Sequence, residues 1–262
     1  MFINYLKIGF KILYRQRRYS LLNIIGLALG IAVFVFIYLY VQSELRYDTH
    51  WSERENIYRI TTDYNLNDNS ELVALTPFKL SQEIQENLDK VKYSTKIFFS
   101  DPSDVNDMST LIYNERVFEV PDITLGDSNV FKIFDYDFTE GDAITSLNKG
   151  NTIVISTDVA RMIFGEEKAL GKKIQTHVRE YIVSGVFQKD CRPSHLNFDA
   201  IVSVGSLPES DIALLNSDWF WMNCYTYVKL IDGSDADDFE FSLNEFTRKE
   251  IIEFIKSEEI NI

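Results

Sequence analysis

The hydrophobic pattern of the chain divides into one long apolar run and a succession of short periodic segments after it. Residues 19–43 contain no charge, and residues 21–41 are almost wholly apolar, interrupted strongly only by Asn23. At ~1.5 Å per residue such a run spans ~31 Å, the thickness of a bilayer's hydrocarbon core. The pattern predicts a transmembrane helix over 19–43. Val41 and Ser43 fit a weak signal-cleavage site, but the run far exceeds the ~7–15 apolar residues of a secretion signal. An uncleaved anchor is the reading adopted.

Downstream, the periodicity alternates between about 2 and 3.6. Residues 57–62 alternate as a strand. Thr76 followed by Pro77 reads as a helix start, running to about Leu88 with Leu80, Ile84 and Leu88 on one face. A strand over 93–99 completes a β-α-β unit. Polar loops cover 66–70 and 101–109. Strands follow at 110–113 and 116–120, joined by an Asn114-Glu115 turn, with a short one near Ile123 and a helical turn at 130–134. Residues 152–155 read as a buried strand, and Ser156 caps a helix that Gly165 stops. Strands at 173–176, 181–187, 200–204 and 223–230 precede a long helix from Ser234, with Phe239, Leu243 and Phe246 on its apolar face. The fold class is α+β: one N-terminal transmembrane helix, then a two-lobed domain. One lobe, at about 57–100 and 220–262, is interrupted by a β-rich lobe at about 105–205. The closing β-α needs one further strand, and residues 258–262 are too few and too charged to supply it, so the reading frame is expected to continue.

Charge orients the anchor. The formal net charge is −14, with 26 basic and 40 acidic residues, yet the first acidic residue is Glu44. Lys7, Lys11, Arg15, Arg17 and Arg18 all precede the apolar run, so residues 1–43 carry +5 and the remainder −19. Basic flanks stay cytoplasmic, placing residues 1–18 inside and 44–262 outside, in the periplasm of a bacterial inner membrane. Lys7, Lys11, Arg15 and Arg18 recur at helical spacing, as do Phe2, Leu6, Phe10 and Leu13. Such a segment suits the membrane interface. Gly26 and Gly30 form a small-xxx-small pair that lets a second helix approach. The acidic body argues against nucleic-acid binding.

The chemistry-bearing residues yield no catalytic, cofactor or metal set. No Gly-x-x-x-x-Gly-Lys-Ser/Thr run occurs, and Lys172 and Lys173 follow Gly171 without a phosphate-cradling loop. His50, His177 and His195 lie far apart, without metal-ligand spacing. Ser194, His195 and Asp199 could be read as a triad, but sequence neighbours rarely assemble one. A turn joining the lobes is the preferred reading. Asp235, Asp237 and Asp238 lack the glycine and terminal glutamate of a calcium loop and suit a helix start. Cys191 and Cys224 could pair in an oxidising compartment, although two cysteines alone fix no geometry.

Several short stretches, taken in order, resemble the opening part of MacB/FtsX-type ABC transporter permeases of the Bacteroidetes kind. They are Asn4-Tyr5-Leu6-Lys7, the run from Asn23 to Ala32, Glu44-Leu45-Arg46-Tyr47-Asp48, Ile57-Tyr58-Arg59 and Phe138-Thr139-Glu140-Gly141-Asp142. Phe164-Gly165, Leu170-Gly171-Lys172, Tyr181-Ile182-Val183-Ser184-Gly185-Val186-Phe187 and Ser194-His195-Leu196-Asn197-Phe198-Asp199 continue the series. The resemblance implies a periplasmic core domain of two lobes, rocked by membrane helices that a separate cytoplasmic ATPase drives. Its outcome is efflux or mechanical signalling, not enzymatic turnover. It also implies a homodimer or paired permease as assembly, with a periplasmic adaptor as a further partner. The family's later membrane helices and ATPase-contacting loop are missing from this chain, so residues 1–262 alone are expected not to transport. A stand-alone anchored sensor or scaffold is the alternative.

Overall fold

The computed structural model describes residues 5, 8, 11–12, 14–66, 69–99, 109–189, 192 and 194–257. They fall into two units. One holds the chain up to Thr49 together with Arg192–His195; the other holds the rest.

In the first unit, helix α1 (Arg17–Leu45) contains 29 residues and buries none of them. At ~1.5 Å per residue it is about 44 Å long, enough to cross a hydrocarbon core and both interfaces. Phe34, Phe36, Leu27 and Leu29 are each about two-thirds exposed or more. An apolar cylinder of this size is unstable in water, so its surface requires lipid or other membrane helices. Ahead of it, Tyr5, Ile8, Lys11, Ile12, Tyr14 and Arg15 are helical. The apolar stripe Phe2, Leu6, Phe10 and Leu13 lies outside the described residues, as does Lys7.

The second unit is built on one long mixed sheet. Its strands are β1 (Ile57–Arg59), β4 (Thr76–Pro77), β5 (Val91–Phe99), β6 (Thr110–Tyr113), β7 (Arg116–Glu119), β8 (Ile123–Gly126), β9 (Phe138–Gly141), β10 (Thr152–Ser156), β11 (Lys173–Gln175), β12 (Glu180–Phe187), β13 (Ala200–Ser203) and β14 (Met222–Leu230). The order across the sheet is β1-β14-β5-β8-β13-β10-β12-β11-β6-β7, with β4 on β14 and β9 on β12. A separate hairpin joins β2 (Thr62–Leu66) to β3 (Asn69–Val73). The strands of the two sequence segments, β1/β5/β14 and β6–β13, meet edge to edge at the β5–β8 pair.

Alternation explains the central strands. Ile153 and Ile155 of β10 point into one apolar cluster and Val154 into another, while Ala200 and Val202 of β13 oppose Ile201 in the same way. Every residue of β10 is buried, as expected for a strand covered on both faces. Helix α4 (Thr157–Phe164) covers one face with Val159, Ile163 and Phe164. On the other lie the short helix α3 (Val130–Ile133) and an aromatic group of Phe131, Phe134, Tyr136, Phe187 and Phe198. The third cluster sits under α2 (Leu80–Asn87) and α6 (Ala236–Ser257), where Leu80, Ile84, Val228, Phe239 and Leu243 meet.

The local signals around α4 and α6 act as their chemistry dictates. Ser156 Oγ accepts the Val159 N–H, and Gly165 ends α4 at φ +66°. Asp235 Oδ1 accepts the N–H groups of Asp237 and Asp238, so these aspartates start a helix. Asn114 and Glu115 both take positive φ in the tight turn between β6 and β7.

Four readings are corrected. Thr76 and Pro77 do not begin a helix. Thr76 is fully buried and its hydroxyl bonds Thr226 Oγ1 and Cys224 O, so the pair forms β4 and the helix starts at Leu80. The 57–62 strand ends early: the Ile60 N–H still donates to Thr226 O in register with β1, but the next stretch of β14 pairs with β4, Thr76 opposite Cys224, and the chain leaves for the hairpin. The 66–70 loop is narrower, since β2 and β3 pair from Thr62/Val73 to Leu66/Asn69. The β-α-β unit is split: β14 runs antiparallel between β1 and β5, filling the gap between two parallel strands. Helix α5 (Glu209–Ser217) was not anticipated. Its signals were Pro208 and the acidic first turn of Glu209 and Asp211.

Two glycines in the resembling stretches face each other, Gly141 of β9 opposite Gly185 of β12. A β-carbon on Gly141 would lie 2.5 Å from Ser184 O, and φ there is +83°. Gly141→Ala is expected to destabilise the domain by roughly 3 kcal/mol, from backbone strain plus overpacking. Chemical denaturation followed by tryptophan fluorescence checks this, with a lowered midpoint and unchanged slope as the expected result.

Candidate functional site

Among the described residues there is no cluster of three His, Cys, Asp or Glu side chains able to hold a metal ion. The features that stand out are the anchor surface, a carboxylate cluster beside it, and two polar networks inside the domain.

On the anchor, Lys11, Arg15, Arg17 and Arg18 are all exposed. They are therefore free to meet headgroups, whose anionic charge each basic side chain complements at about 1 kcal/mol. Gly26 and Gly30 lie one turn apart on α1, and a β-carbon added to either would meet nothing within 4 Å.

In the same unit, Asp48 gathers Ser194 and His195. Ser194 Oγ donates to Asp48 Oδ1 at 2.6 Å, the His195 N–H reaches the same oxygen at 3.3 Å, and the His195 imidazole bonds Oδ2. The structure thus brings a serine, a histidine and an aspartate together, but the aspartate is not Asp199. Asp199 pairs with Lys189 at 2.7 Å. The serine proton is directed at the carboxylate, whereas a nucleophilic serine gives its proton to the imidazole. Arg192–His195 groups with the anchor unit. His50 packs its ring on Trp51, and His177 is exposed on a turn.

Within the domain, Asp127 accepts from Thr95 Oγ1 at 2.7 Å, Asn129 N at 2.9 Å and Lys96 N at 3.2 Å. Burial pushes its carboxyl above the ordinary range, and these hydrogen bonds oppose that shift. The Lys96 ammonium donates to Phe78 O at 3.0 Å and sits 3.7 Å over the Phe78 ring, its pKa lowered by burial. Both groups line a shallow polar cleft of about 240 Å³ with Ser81, Gln85 and Asn129. The cleft's donors and acceptors are largely satisfied by α2, β5 and the turn before α3, which reads as a buried staple. Cys224 is a free, fully buried thiol, pushed up to about 12 by burial; Cys191 lies outside the described residues.

At the other side of β5 and β14, Glu53 holds the left-handed conformation at φ +51° and binds the Lys229 ammonium, with Lys92 at 3.8 Å. Lys229 is on a central strand with only 5% of its side chain exposed, so Glu53 is its counter-charge. None of Asp48, Asp127, Glu53 or Lys229 was singled out from the sequence for these roles. The signal present was the location of Asp48 and Ser194-His195 within two of the resembling stretches.

These observations define a class: an apolar helix able to cross a membrane, followed by a sheet-rich domain held together by structural polar networks. Residues 20–246 match the MacB-like periplasmic core domain family, and the chain belongs to that family. It shares its fold with a crystallised domain assigned to a permease protein of Porphyromonas gingivalis, at 20% identity and a TM-score of 0.61, over 76% of this chain and 86% of that one. The periplasmic region of MacB from Actinobacillus actinomycetemcomitans is similar at 14% identity and a TM-score of 0.52, over 74% and 83% of the two chains. No curated protein matches the chain in sequence. With the family established, the chain is a membrane-anchored protein carrying a periplasmic-type domain.

The Glu53 carboxyl is held below the ordinary glutamate range, chiefly by its hydrogen bond from Lys229 and then by the charges of Lys229 and Lys92. A carboxyl with a depressed folded-state pKa stabilises fully above its unfolded pKa, and that stability is lost as pH falls through the folded value. Glu53→Gln should therefore lower the melting temperature at pH 7, with the deficit shrinking to nothing once wild type is acidified well below about pH 4. Paired thermal melts across that range provide the check.

Proposed function

We propose that the chain is the opening part of a permease subunit in an ABC-type efflux or mechanotransmission system. Its domain is moved by ATP hydrolysis on a separate cytoplasmic ATPase, and it performs no enzymatic turnover of its own. One observation carries this reading: a membrane-length apolar helix with a Gly26/Gly30 small-xxx-small pair, joined to a MacB-like periplasmic core domain. A simple tether needs no notch for a second helix. The basic lead-in of Lys11, Arg15, Arg17 and Arg18 supports an N-terminus in the cytoplasm and a domain in the periplasm, with the anchor in the inner membrane. A homodimer or paired permease fits the Gly26/Gly30 pair, and a periplasmic adaptor is the further partner of this reading. The stand-alone anchored sensor or scaffold is the alternative reading, and the second measurement below separates the two.

Two measurements test the proposal. A cysteine introduced at the exposed Val178 should react with an impermeant maleimide in intact spheroplasts; protection until lysis would reverse the orientation. The protein, purified at its full natural length from its native membranes in mild detergent, should bring with it an ATPase carrying a phosphate-binding loop, and Gly26→Ile/Gly30→Ile should reduce that recovery at least fivefold. Recovery without any ATPase would sink the permease reading in favour of the sensor.

A further inference from the structure

The connection between β12 and β13 takes residues 188–199, although most connections in compact domains need only ~4–6 residues. Its base is fixed within the domain. Lys189 and Asp199 form an ion pair at 2.7 Å, Tyr136 donates its hydroxyl to Leu196 O, and Leu196 and Phe198 are buried in the aromatic cluster. Its middle is different: Arg192–His195 belongs with the anchor unit, while the chain on either side belongs with the domain. What holds it there is Asp48, 146 residues away from Ser194 in sequence. Both carboxylate oxygens are engaged, Oδ1 by Ser194 Oγ and the His195 N–H, Oδ2 by the imidazole. Asp48 itself adopts φ +54°, a left-handed conformation that aspartate and asparagine tolerate better than other side chains. Hydrogen bonds to an ionised carboxylate are among the stronger ones available at a surface.

We propose that Asp48, Ser194 and His195 form a clasp that holds the 194–195 stretch of this connection against the exit of the anchor, within the unit to which all three belong. With the clasp closed, the left-handed turn at Asp48 and the 194–195 backbone are ordered as one piece. Asp48 is the positioning residue, and the clasp neither needs nor implies any particular transport substrate or ATPase.

Hydrogen–deuterium exchange on the full chain in lipid nanodiscs tests this, because a tie loosens both of its sides when either is altered. In Asp48→Asn, which preserves the left-handed backbone, the amides of Arg192 and of residues 194–196, all unaltered, should exchange at least tenfold faster than in wild type. In Ser194→Ala/His195→Ala, amides of the unaltered segment 46–49 should accelerate similarly. Peptides from the buried β10 should be unchanged in both, separating the effect from unfolding; if the double variant loosens β10 as well, Asp48→Asn alone decides. Unchanged exchange in the segment opposite each substitution would overturn the proposal.

Discussion

The domain depends on β14. This strand reaches the sheet last, yet it lies antiparallel between β1 and β5 and also carries β4. Nothing local could join β1 to β5, because they run parallel and the span between them is occupied. Only when residues 222–230 are in place do the ends of the domain's chain become neighbours. Lys229 illustrates how strict that requirement is: it is drawn into a central strand and kept there by a counter-charge from Glu53, at the opposite end of the domain's sequence. Contacts of such sequence separation are slow to form, since loop closure comes before the pairing that rewards it.

Much of the domain was legible because its elements announce themselves locally. The α4 helix has a serine at one end and a glycine at the other, and its apolar residues all fall on one side. The central strands alternate or are wholly apolar according to which faces are covered. The failures share one cause. Thr76 and Pro77 carry helix-start chemistry, but Thr76 finds better partners in Thr226 and Cys224, about 150 residues away. Residues 57–62 alternate without interruption, yet their pairing with β14 stops after Ile60 meets Thr226, because the next stretch of β14 pairs with Thr76 and Pro77. Local preference yielded wherever β14 offered something stronger.

The scattered resembling stretches make physical sense once folded. Glu140 accepts the N–H groups of Ala169 and Leu170, fixing the turn after α4. The Gly171 N–H donates to Val183 O on β12. Gly141 and Gly185 meet across β9 and β12 because neither position has room for a β-carbon. Pieces far apart in sequence are therefore parts of one local assembly around β12. The candidate site was less legible, since Asp48 and Ser194-His195 are unremarkable apart and acquire a role only through a contact that no spacing announces.

The short strands at the two ends of the sheet order have a consequence for life at a crowded membrane surface. β1 has three residues and β7 four, and β7 carries Arg116 and Glu119. A terminal strand of that length exposes only one or two free main-chain pairs, and charge beside them discourages another sheet from docking. A domain concentrated along a bilayer by its anchor meets copies of itself far more often than one free in solution. Short, charged borders let so long a sheet be held at high local density without growing into its neighbours.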